Sequence, residues 1–415
     1  MRFDFRVYGV ALFLSACSPS GDTDVPEDTD VPEDTDVPLD ADGDGYPEGV
    51  DCDDTNPAAF VWGPSGGSAE LNTQAQVDAF CDDFVGVSCS TGTVNDLDIQ
   101  NTLISNVDGL SCITAVAGDL IVTDNDDLTS LDGFAALTSV GGDLVVAHNP
   151  TLSNVDGFAS LTSVGGGVWL QYLDALIHVD GFSSLTSVGA IVMMDTGALT
   201  NVDGFSALTS VEHNVYVQDS DALTNVDGFS GLASVGGLVL YDNDALTNVD
   251  AFSALTSVQG DMWVEYNDAL TNVDGFTALT SVGGSLWVDG NDALTNVDGF
   301  SALTSVGGQM TIYSSYALTN VDGFSALTSV GSLTLYDNYV LTNVDGFSAL
   351  TSVGGDLIVD YNHALTNVDG FSGLTSANGD LRITDNPALS SSDVAALVEA
   401  IGDLFNAVFT DGDGA

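Results

Sequence analysis

The chain has 415 residues, of which 61 are acidic and three are basic, and its formal net charge is −58 at pH 7. The basic residues are Arg2, Arg6 and Arg382. Recognition of phosphate needs clustered lysine and arginine, so the composition excludes nucleic-acid binding through a basic groove and direct docking on anionic lipid headgroups. Apolar residues make up 44% of the chain, which is enough to bury a large core and excludes wholesale disorder.

Residues 1–16 are predicted to form a signal peptide, because two arginines precede an apolar run that is too short to span a bilayer. The run ends in Leu14-Ser15-Ala16-Cys17, which resembles the lipobox of bacterial lipoproteins. The resemblance implies that Cys17 becomes a lipidated N-terminus held in a membrane by its acyl chains. With serine following the cysteine, it also implies placement at the outer membrane or cell surface. A plain secretory signal with an incidental cysteine is the alternative.

Residues 17–39 are predicted to form an acidic tether. They contain three hexads with proline at the fifth position, DTDVPE, DTDVPE and DTDVPL. Because proline excludes a helix and the carboxylates repel one another, we expect an extended, solvated spacer, in which the three hexads alone reach roughly 55 Å in polyproline II.

Residues 40–57 are predicted to contain a calcium-binding loop. The segment begins D-A-D-G-D-G-Y-P-E-G-V-D, and this spacing supplies the hard oxygen ligands that Ca²⁺ prefers. The predicted ligands are Asp40, Asp42, Asp44, Tyr46 through its carbonyl, Glu48, Asp51, Asp53 and Asp54. The pattern DxDGDG followed by DCDD resembles thrombospondin type-3 repeats and related bacterial modules, which implies calcium held between wrapped carboxylates. A merely acidic, turn-rich linker is the alternative.

Residues 95–390 repeat with a period of 23 or 24 residues. The period is marked by one large apolar residue per unit: Leu110, Phe134, Phe158, Phe182, Phe205, Phe229, Phe252, Phe276, Phe300, Phe324, Phe347 and Phe371. The consensus unit is F-S-A-L-T-S-V-G-G-x-L-x-V-x-x-N-x-A-L-T-N-V-D-G. A fixed period in this range indicates a solenoid, whose single turns cannot bury their apolar faces alone.

Two apolar spacings within the unit define the fold class. In L-x-V the apolar residues alternate, as in a strand, and elsewhere they recur at every third residue, which suits short extended segments. Gly-Gly and Asp-Gly provide the corners. We therefore predict a mainly β protein, a right-handed parallel β-solenoid of about twelve turns. The pattern resembles receptor L-domains and leucine-rich-repeat-like bacterial solenoids, a resemblance that implies this fold and binding surfaces of many kinds.

Short helical caps are predicted at both ends of the solenoid. Residues 58–94 form the N-terminal cap, in which a capping box at Thr73-Gln74-Ala75-Gln76 opens a helix that runs to about Phe84. Residues 391–415 form the C-terminal cap and tail, with a helix from Asp393 that stops at Gly402.

Four cysteines follow Cys17: Cys52, Cys81, Cys89 and Cys112. An even set in an exported protein predicts disulfides, and three pairings are possible. Cys89 and Cys112 are one repeat apart, and neighbouring strands lie about 4.8 Å apart. We therefore expect Cys89–Cys112, which leaves Cys52–Cys81.

Alternation in x-L-x-V-x-x directs the variable residues outward and gathers aromatic side chains on one sheet. The predicted ligand-binding face consists of Trp169, Tyr172, Tyr216, Tyr241, Trp263, Tyr266, Trp287, Tyr313, Tyr336 and Tyr361. Aromatic side chains on an exposed surface are typical of a contact site for a glycan or a protein. The alternative is that they reflect only β-propensity and cross-strand stacking.

Two polar positions recur beside the turn N-V-D-G. We expect its aspartate to cap N–H groups of the turn, with a cation ladder as the functional alternative. We expect the asparagines of L-T-N-V (Asn201, Asn225 and Asn296) to form a buried hydrogen-bond ladder.

Catalysis is not expected, because the four histidines are scattered and no catalytic motif is present. The pattern favours a calcium-stabilised surface lipoprotein that recognises or adheres to an extracellular glycan or protein. The runner-up is a structural envelope protein without a specific ligand. Two further alternatives are a polysaccharide-degrading β-helix enzyme with paired carboxylates and an ice-binding protein with threonine ladders.

Overall fold

The structure, a computed structural model, describes residues 69–85, 93–100 and 103–411. The predicted signal peptide, tether and calcium loop lie outside the described residues, as do Cys52 and Cys89.

The described residues form two α-helices and a long succession of short strands. The helices are α1 (Gln74–Val85) and α2 (Ser391–Ile401). The strands are, in chain order, β1 (Ala69–Glu70), β2 (Thr93–Val94), β3 (Leu97–Gln100), β4 (Ala115–Val116), β5 (Leu120–Thr123), β6 (Ser139–Val140), β7 (Leu144–Ala147), β8 (Ser163–Val164), β9 (Gly167–Gln171), β10 (Ala190–Met194), β11 (Ser210–Gln218), β12 (Ser234–Tyr241), β13 (Ser257–Val258), β14 (Met262–Glu265), β15 (Ser281–Val282), β16 (Leu286–Asp289), β17 (Ser305–Tyr313), β18 (Ser329–Tyr336), β19 (Ser352–Val353), β20 (Leu357–Asp360), β21 (Ser376–Ala377), β22 (Leu381–Thr384) and β23 (Val408–Thr410). Most turns also carry a short 3₁₀ helix that begins at the aspartate of N-V-D-G.

Each strand pairs in parallel with a strand of a neighbouring turn, which confirms the predicted parallel β-solenoid. The L-x-V segments form one long ladder, as in the pairing of β14 with β16 and of β16 with β17. The Ser-Val segments form a second ladder, and β11, β12, β17 and β18 run through both. At the ends of the long ladder, β1 pairs with β3 and β23 pairs with β22.

The repeated phenylalanines form a continuous column inside the solenoid. From Phe134 to Phe371 each ring stacks on the ring of the next turn, with centroids 5.1 to 5.8 Å apart. These side chains are completely buried, together with the leucines and valines of every turn. A turn buries this surface only against its neighbours, so the stack as a whole provides the core.

A buried asparagine ladder runs beside the core, at a position other than the predicted one. It consists of the asparagine of V-x-x-N: Asn125, Asn149, Asn243, Asn267, Asn291, Asn338, Asn362 and Asn386. The Nδ2 of Asn267 donates to the carbonyls of Glu265 and Leu240, each at 3.0 Å. The ladder therefore satisfies backbone carbonyls where the chain leaves the long sheet and bends inward.

The expectation for the L-T-N-V asparagines was wrong, because these residues are only half-buried. Asn296 instead accepts a hydrogen bond from the backbone N–H of Asp298 at 3.1 Å. The expectation that the aspartate carboxylate caps this turn was also wrong. The amide two residues earlier already fills that role, and the side chain of Asp298 is exposed.

The N-terminal cap is joined to the first turns by a disulfide that differs from the expected one. The predicted helix is present as α1, and Thr73 Oγ1 accepts the N–H of Gln76 at 3.3 Å. Cys81 of α1 is bonded to Cys112, so the pairings Cys89–Cys112 and Cys52–Cys81 were wrong. The reason is that α1 packs against the 3₁₀ helix that precedes Cys112, a placement that the repeat period does not encode.

The C-terminal cap is formed by α2, as predicted. Ser390 Oγ accepts the backbone N–H of Asp393 at 3.2 Å and caps the helix. Among the described residues, no helix has the length and apolar character needed to cross a bilayer.

Candidate functional site: an aromatic face on the long ladder

The long ladder presents three outward rows of side chains. Row one is the first variable position of L-x-V-x-x, and it places Trp263 beside Trp287. Row two is the next outward position, and it places Glu265 beside Asp289. Row three follows the strand directly, where Tyr266 lies. All ten residues of the predicted face lie in these rows: Trp169, Tyr216, Trp263 and Trp287 in row one, Tyr241, Tyr313 and Tyr336 in row two, and Tyr172, Tyr266 and Tyr361 in row three.

Row three owes its outward direction to an unusual backbone conformation. Its residues have positive φ: Asp124, His148, Tyr172, Asp195, Asp219, Asp242, Tyr266, Gly290, Ser314, Asp337, Tyr361 and Asp385. This conformation reverses the chain so that the following residue, usually asparagine, points inward. Asp, Asn and His tolerate it best, whereas tyrosine is costly there, so its use at three turns needs a compensating contact.

The aromatic side chains contact one another across neighbouring turns. The rings of Trp263 and Trp287 meet edge to face at 5.2 Å, and those of Tyr241 and Tyr266 do so at 5.4 Å. Such pairs gain about 0.5–1.5 kcal/mol beyond area burial, so the face is held in a defined shape. Tyr266 nevertheless keeps 40% of its surface exposed and remains available to a ligand.

The middle of the face is a cluster that we call the central patch. It consists of Tyr241, Trp263, Glu265, Tyr266, Trp287, Asp289 and Tyr313. The missing side chain at Gly290 makes room for its edge, because a Cβ there would lie 2.5 Å from Cδ1 of Tyr266. A glycine in row three at this turn therefore lets the Tyr266 ring lie close to the carboxylates.

Two carboxylates lie in register within the central patch. Burial raises the pKa of Glu265 to about 7. Burial, and then the nearby charge of Glu265, raise the pKa of Asp289 to about 8. Asp289 Oδ1 is buried and has no hydrogen-bond partner among the described residues. Burial therefore favours the protonated form of both carboxyls near neutral pH.

A third row-two carboxylate is neutralised by the chain itself. Asp360 is only 2% exposed, and its Oδ2 lies 2.6 Å from Nε of Arg382. The backbone N–H of Thr384 donates to its Oδ1 at 3.0 Å. The structure thus contains one row-two carboxylate with a guanidinium partner, Asp360, and one whose Oδ1 has no hydrogen-bond partner among the described residues, Asp289.

Two phenols of the patch, those of Tyr241 and Tyr266, are held in their neutral form. Burial, followed by the charges of Asp289 and Glu265, raises the pKa of Tyr266 to about 12. Burial and neighbouring carboxylates likewise raise the pKa of Tyr241. Both side chains can therefore donate a hydrogen bond and offer an uncharged ring face to a ligand.

The threonine rows on the other sides of the solenoid have a structural role. Thr280 Oγ1 donates to the carbonyl of Thr256 at 2.9 Å, and Thr304 repeats the contact with Thr280. These hydroxyl donors are used within the stack. The face that varies from turn to turn, and so can encode specificity, is the aromatic one.

The histidines lie at separate places. His148 stacks on Tyr172 with centroids 4.4 Å apart, and His178 Nδ1 lies 3.3 Å from Asp180 Oδ2. His363 stacks on Tyr339, and His213 is exposed. Within the described ranges, no three histidine, cysteine or carboxylate side chains converge as a metal site.

Calcium binding and lipidation were predicted at residues that the structure does not describe, so both stay predictions. Glu265 and Asp289 belong to the outward row of variable residues, but the predicted face did not include them. The signal for them is two consecutive turns, M-W-V-E-Y and L-W-V-D-G, that each place tryptophan in row one and a carboxylate in row two.

The chain resembles solved structures in fold but matches no family model. No protein-family model matches the chain, and no curated protein matches it in sequence. Among solved structures, an internalin (inlF) from Listeria monocytogenes is similar at 14% sequence identity with a TM-score of 0.35, covering 73% of this chain and 82% of the internalin. The solenoid fold is established by the strand registers themselves.

Proposed function

We propose that the chain is a non-catalytic surface protein that recognises or adheres to an extracellular glycan or protein through its aromatic face. The observation that carries the proposal is the alignment of ten aromatic side chains on one sheet, in rows that differ from turn to turn. Partly exposed tryptophan and tyrosine are the side chains that most often dominate binding energy at interfaces.

Attachment to the cell surface belongs to the same proposal. Lipidated Cys17 would anchor the protein in the outer membrane, and the acidic segment 17–39 would hold the solenoid away from it. Calcium at residues 40–57 would order the junction between tether and cap. This placement exposes the aromatic face to partners outside the cell.

Removal of calcium should loosen that junction. In limited proteolysis of the full chain, a chelator is expected to make residues 40–57 cleavable, because ligand oxygens that share no cation repel one another. Re-addition of calcium should restore protection, whereas magnesium serves as the control. Equal digestion with and without the chelator would contradict calcium binding in this loop.

An array of glycans and cell-surface proteins tests recognition itself. A partner found with the native chain should lose at least about tenfold in affinity when Trp169, Trp263 and Trp287 are all replaced by alanine. The matched control replaces exposed serines on another face, Ser301, Ser325 and Ser348, and should bind normally. Bound polysaccharides should gain no new reducing ends. An array without partners would favour the structural envelope protein, and binding unaffected by the tryptophan changes would exclude this face.

A further inference from the structure

Arg382 is the only lysine or arginine within the described residues, and the place where it lies is informative. It occupies row one, one turn beyond Ile358, and its guanidinium reaches back to the row-two carboxylate of Asp360 in the preceding turn. The solenoid thus shows how one of its buried row-two carboxylates is stabilised, by a guanidinium supplied from the next turn.

The central patch lacks this guanidinium. Arg382 lies in row one of the turn that follows Asp360. The residue in the corresponding position relative to Asp289 is Thr311, which lies in row one of the turn that follows Asp289. Threonine cannot supply a positive charge, and Asp289 Oδ1 stays buried without a hydrogen-bond partner among the residues described. Asp289 therefore has the same register position as Asp360 but no guanidinium beside it.

We propose that the central patch binds an arginine side chain of a partner polypeptide, whose guanidinium contacts Glu265 and Asp289 as that of Arg382 contacts Asp360. The inference rests on the proposed recognition function and specifies its partner as a basic protein segment. It commits to a protein because a chain of net charge −58 attracts basic polypeptides over long distances.

The aromatic surroundings favour arginine over lysine. A guanidinium is planar, donates in a fork that matches a carboxylate, and stacks on aromatic faces. In the patch the carboxylates lie beside the Trp263–Trp287 pair on one side and Tyr266 on the other. A cation between such rings also gains from their negative π-faces. A neutral sugar would use the rings but leave the carboxylates uncompensated.

Short peptides that differ at one residue provide the test. A Gly/Ser peptide with a central arginine should shift the indole N–H resonances of Trp263 and Trp287 in the full chain. It should bind at least about tenfold more tightly than the same peptide with neutral citrulline. The lysine peptide should bind more weakly than the arginine peptide. Equal binding of arginine and citrulline, or of arginine and lysine, would overturn the assignment.

A variant with its own guanidinium sharpens the test. Thr311→Arg should occupy the site from within and weaken the arginine peptide at least about tenfold, as Arg382 occupies its own site. Thr334→Arg is the matched control, because the row-two residue of its preceding turn is Tyr313, and it should bind as the native chain does. The double variant Glu265→Gln with Asp289→Asn should bind the arginine peptide no more tightly than the citrulline peptide. Native-like binding by Thr311→Arg would overturn the proposal.

The affinity for the arginine peptide should also depend on pH. The guanidinium needs ionised carboxylates, and the pKa values of Glu265 and Asp289 are raised to about 7 and about 8. Binding should therefore strengthen from about pH 6 to about pH 8.5. Tyr241 and Tyr266, whose pKa values are raised, stay protonated over this range; Tyr313, in register with Asp289, is the third phenol facing the pair. A flat profile would count against the carboxylates as the contact.

Failure of this inference can be told apart from failure of the proposed function. One outcome is that the array finds partners that no longer bind the triple tryptophan variant but still bind Thr311→Arg and the double variant Glu265→Gln with Asp289→Asn. That result would mean that the aromatic face binds a partner and that the arginine assignment is wrong. If neither array partners nor peptides bind, both are wrong.

Discussion

Replacing Phe276 by alanine should lower the free energy of unfolding by about 3–5 kcal/mol. The ring is fully buried and stacks between Phe252 at 5.6 Å and Phe300 at 5.5 Å. Its removal would leave a cavity lined by two neighbouring turns, and each turn of a solenoid depends on both of its interfaces. Urea unfolding, followed by circular dichroism, measures the change.

Leucine at the same position is the matched control. Leu110 takes this place in the first turn and is fully buried there, so the solenoid accommodates the side chain. Phe276→Leu keeps most of the volume and should cost less than about 1.5 kcal/mol. If alanine and leucine destabilised the chain equally, or alanine by less than about 1 kcal/mol, the phenylalanine column would not be the element that joins the turns.

The fold could be predicted because the same apolar pattern recurs in successive repeats. Alternation in L-x-V fixes which side chains point inward, and a one-residue slip would turn all of them to the wrong face. The register therefore follows from the period, even though units of 23 and 24 residues are mixed. The structure absorbs the difference in the Gly-Gly corner, for example between Val211 and Asn214 where the register with β12 shifts.

The buried asparagines could not be assigned in the same way. Many repeats have two asparagines, one in V-x-x-N and one in L-T-N-V, and composition does not distinguish them. The positive φ of the preceding residue determines which asparagine is buried. At Tyr266, for example, it turns Asn267 inward. A chain reversal of this kind has no periodic signal when aspartate, tyrosine, histidine, serine and glycine all take the position.

The remaining errors concern contacts outside the repeat or between variable residues. The disulfide to Cys112 depends on how α1 packs on the first turns, which lies outside the periodic pattern. The raised pKa values of Glu265 and Asp289 depend on how far the neighbouring rings exclude water. Their registers could be read from the sequence, but their burial could not.

The two kinds of asparagine should respond very differently to alanine. Asn267→Ala should lower the free energy of unfolding by about 2–4 kcal/mol, because it removes the buried amide that donates to the carbonyls of Leu240 and Glu265 and accepts from Asn243. Asn272→Ala, in the same turn, removes the cap on the N–H of Asp274 at 3.1 Å and an exposed hydrogen bond to Thr271 Oγ1 at 3.3 Å, and should cost about 1 kcal/mol. Urea unfolding of both variants gives the comparison.

The ranking of these variants also bears on the candidate site. The carbonyl of Glu265 belongs to the residue that carries the patch carboxylate, and Tyr266 lies between it and Asn267. Loss of the Asn267 donor should therefore speed hydrogen exchange at Glu265 and Tyr266, since one of the hydrogen bonds that hold the end of β14 is lost. Asn272→Ala should leave exchange there unchanged. A larger cost for Asn272→Ala would mean that the L-T-N-V row supports the solenoid after all, and that the aromatic face does not depend on the inner ladder.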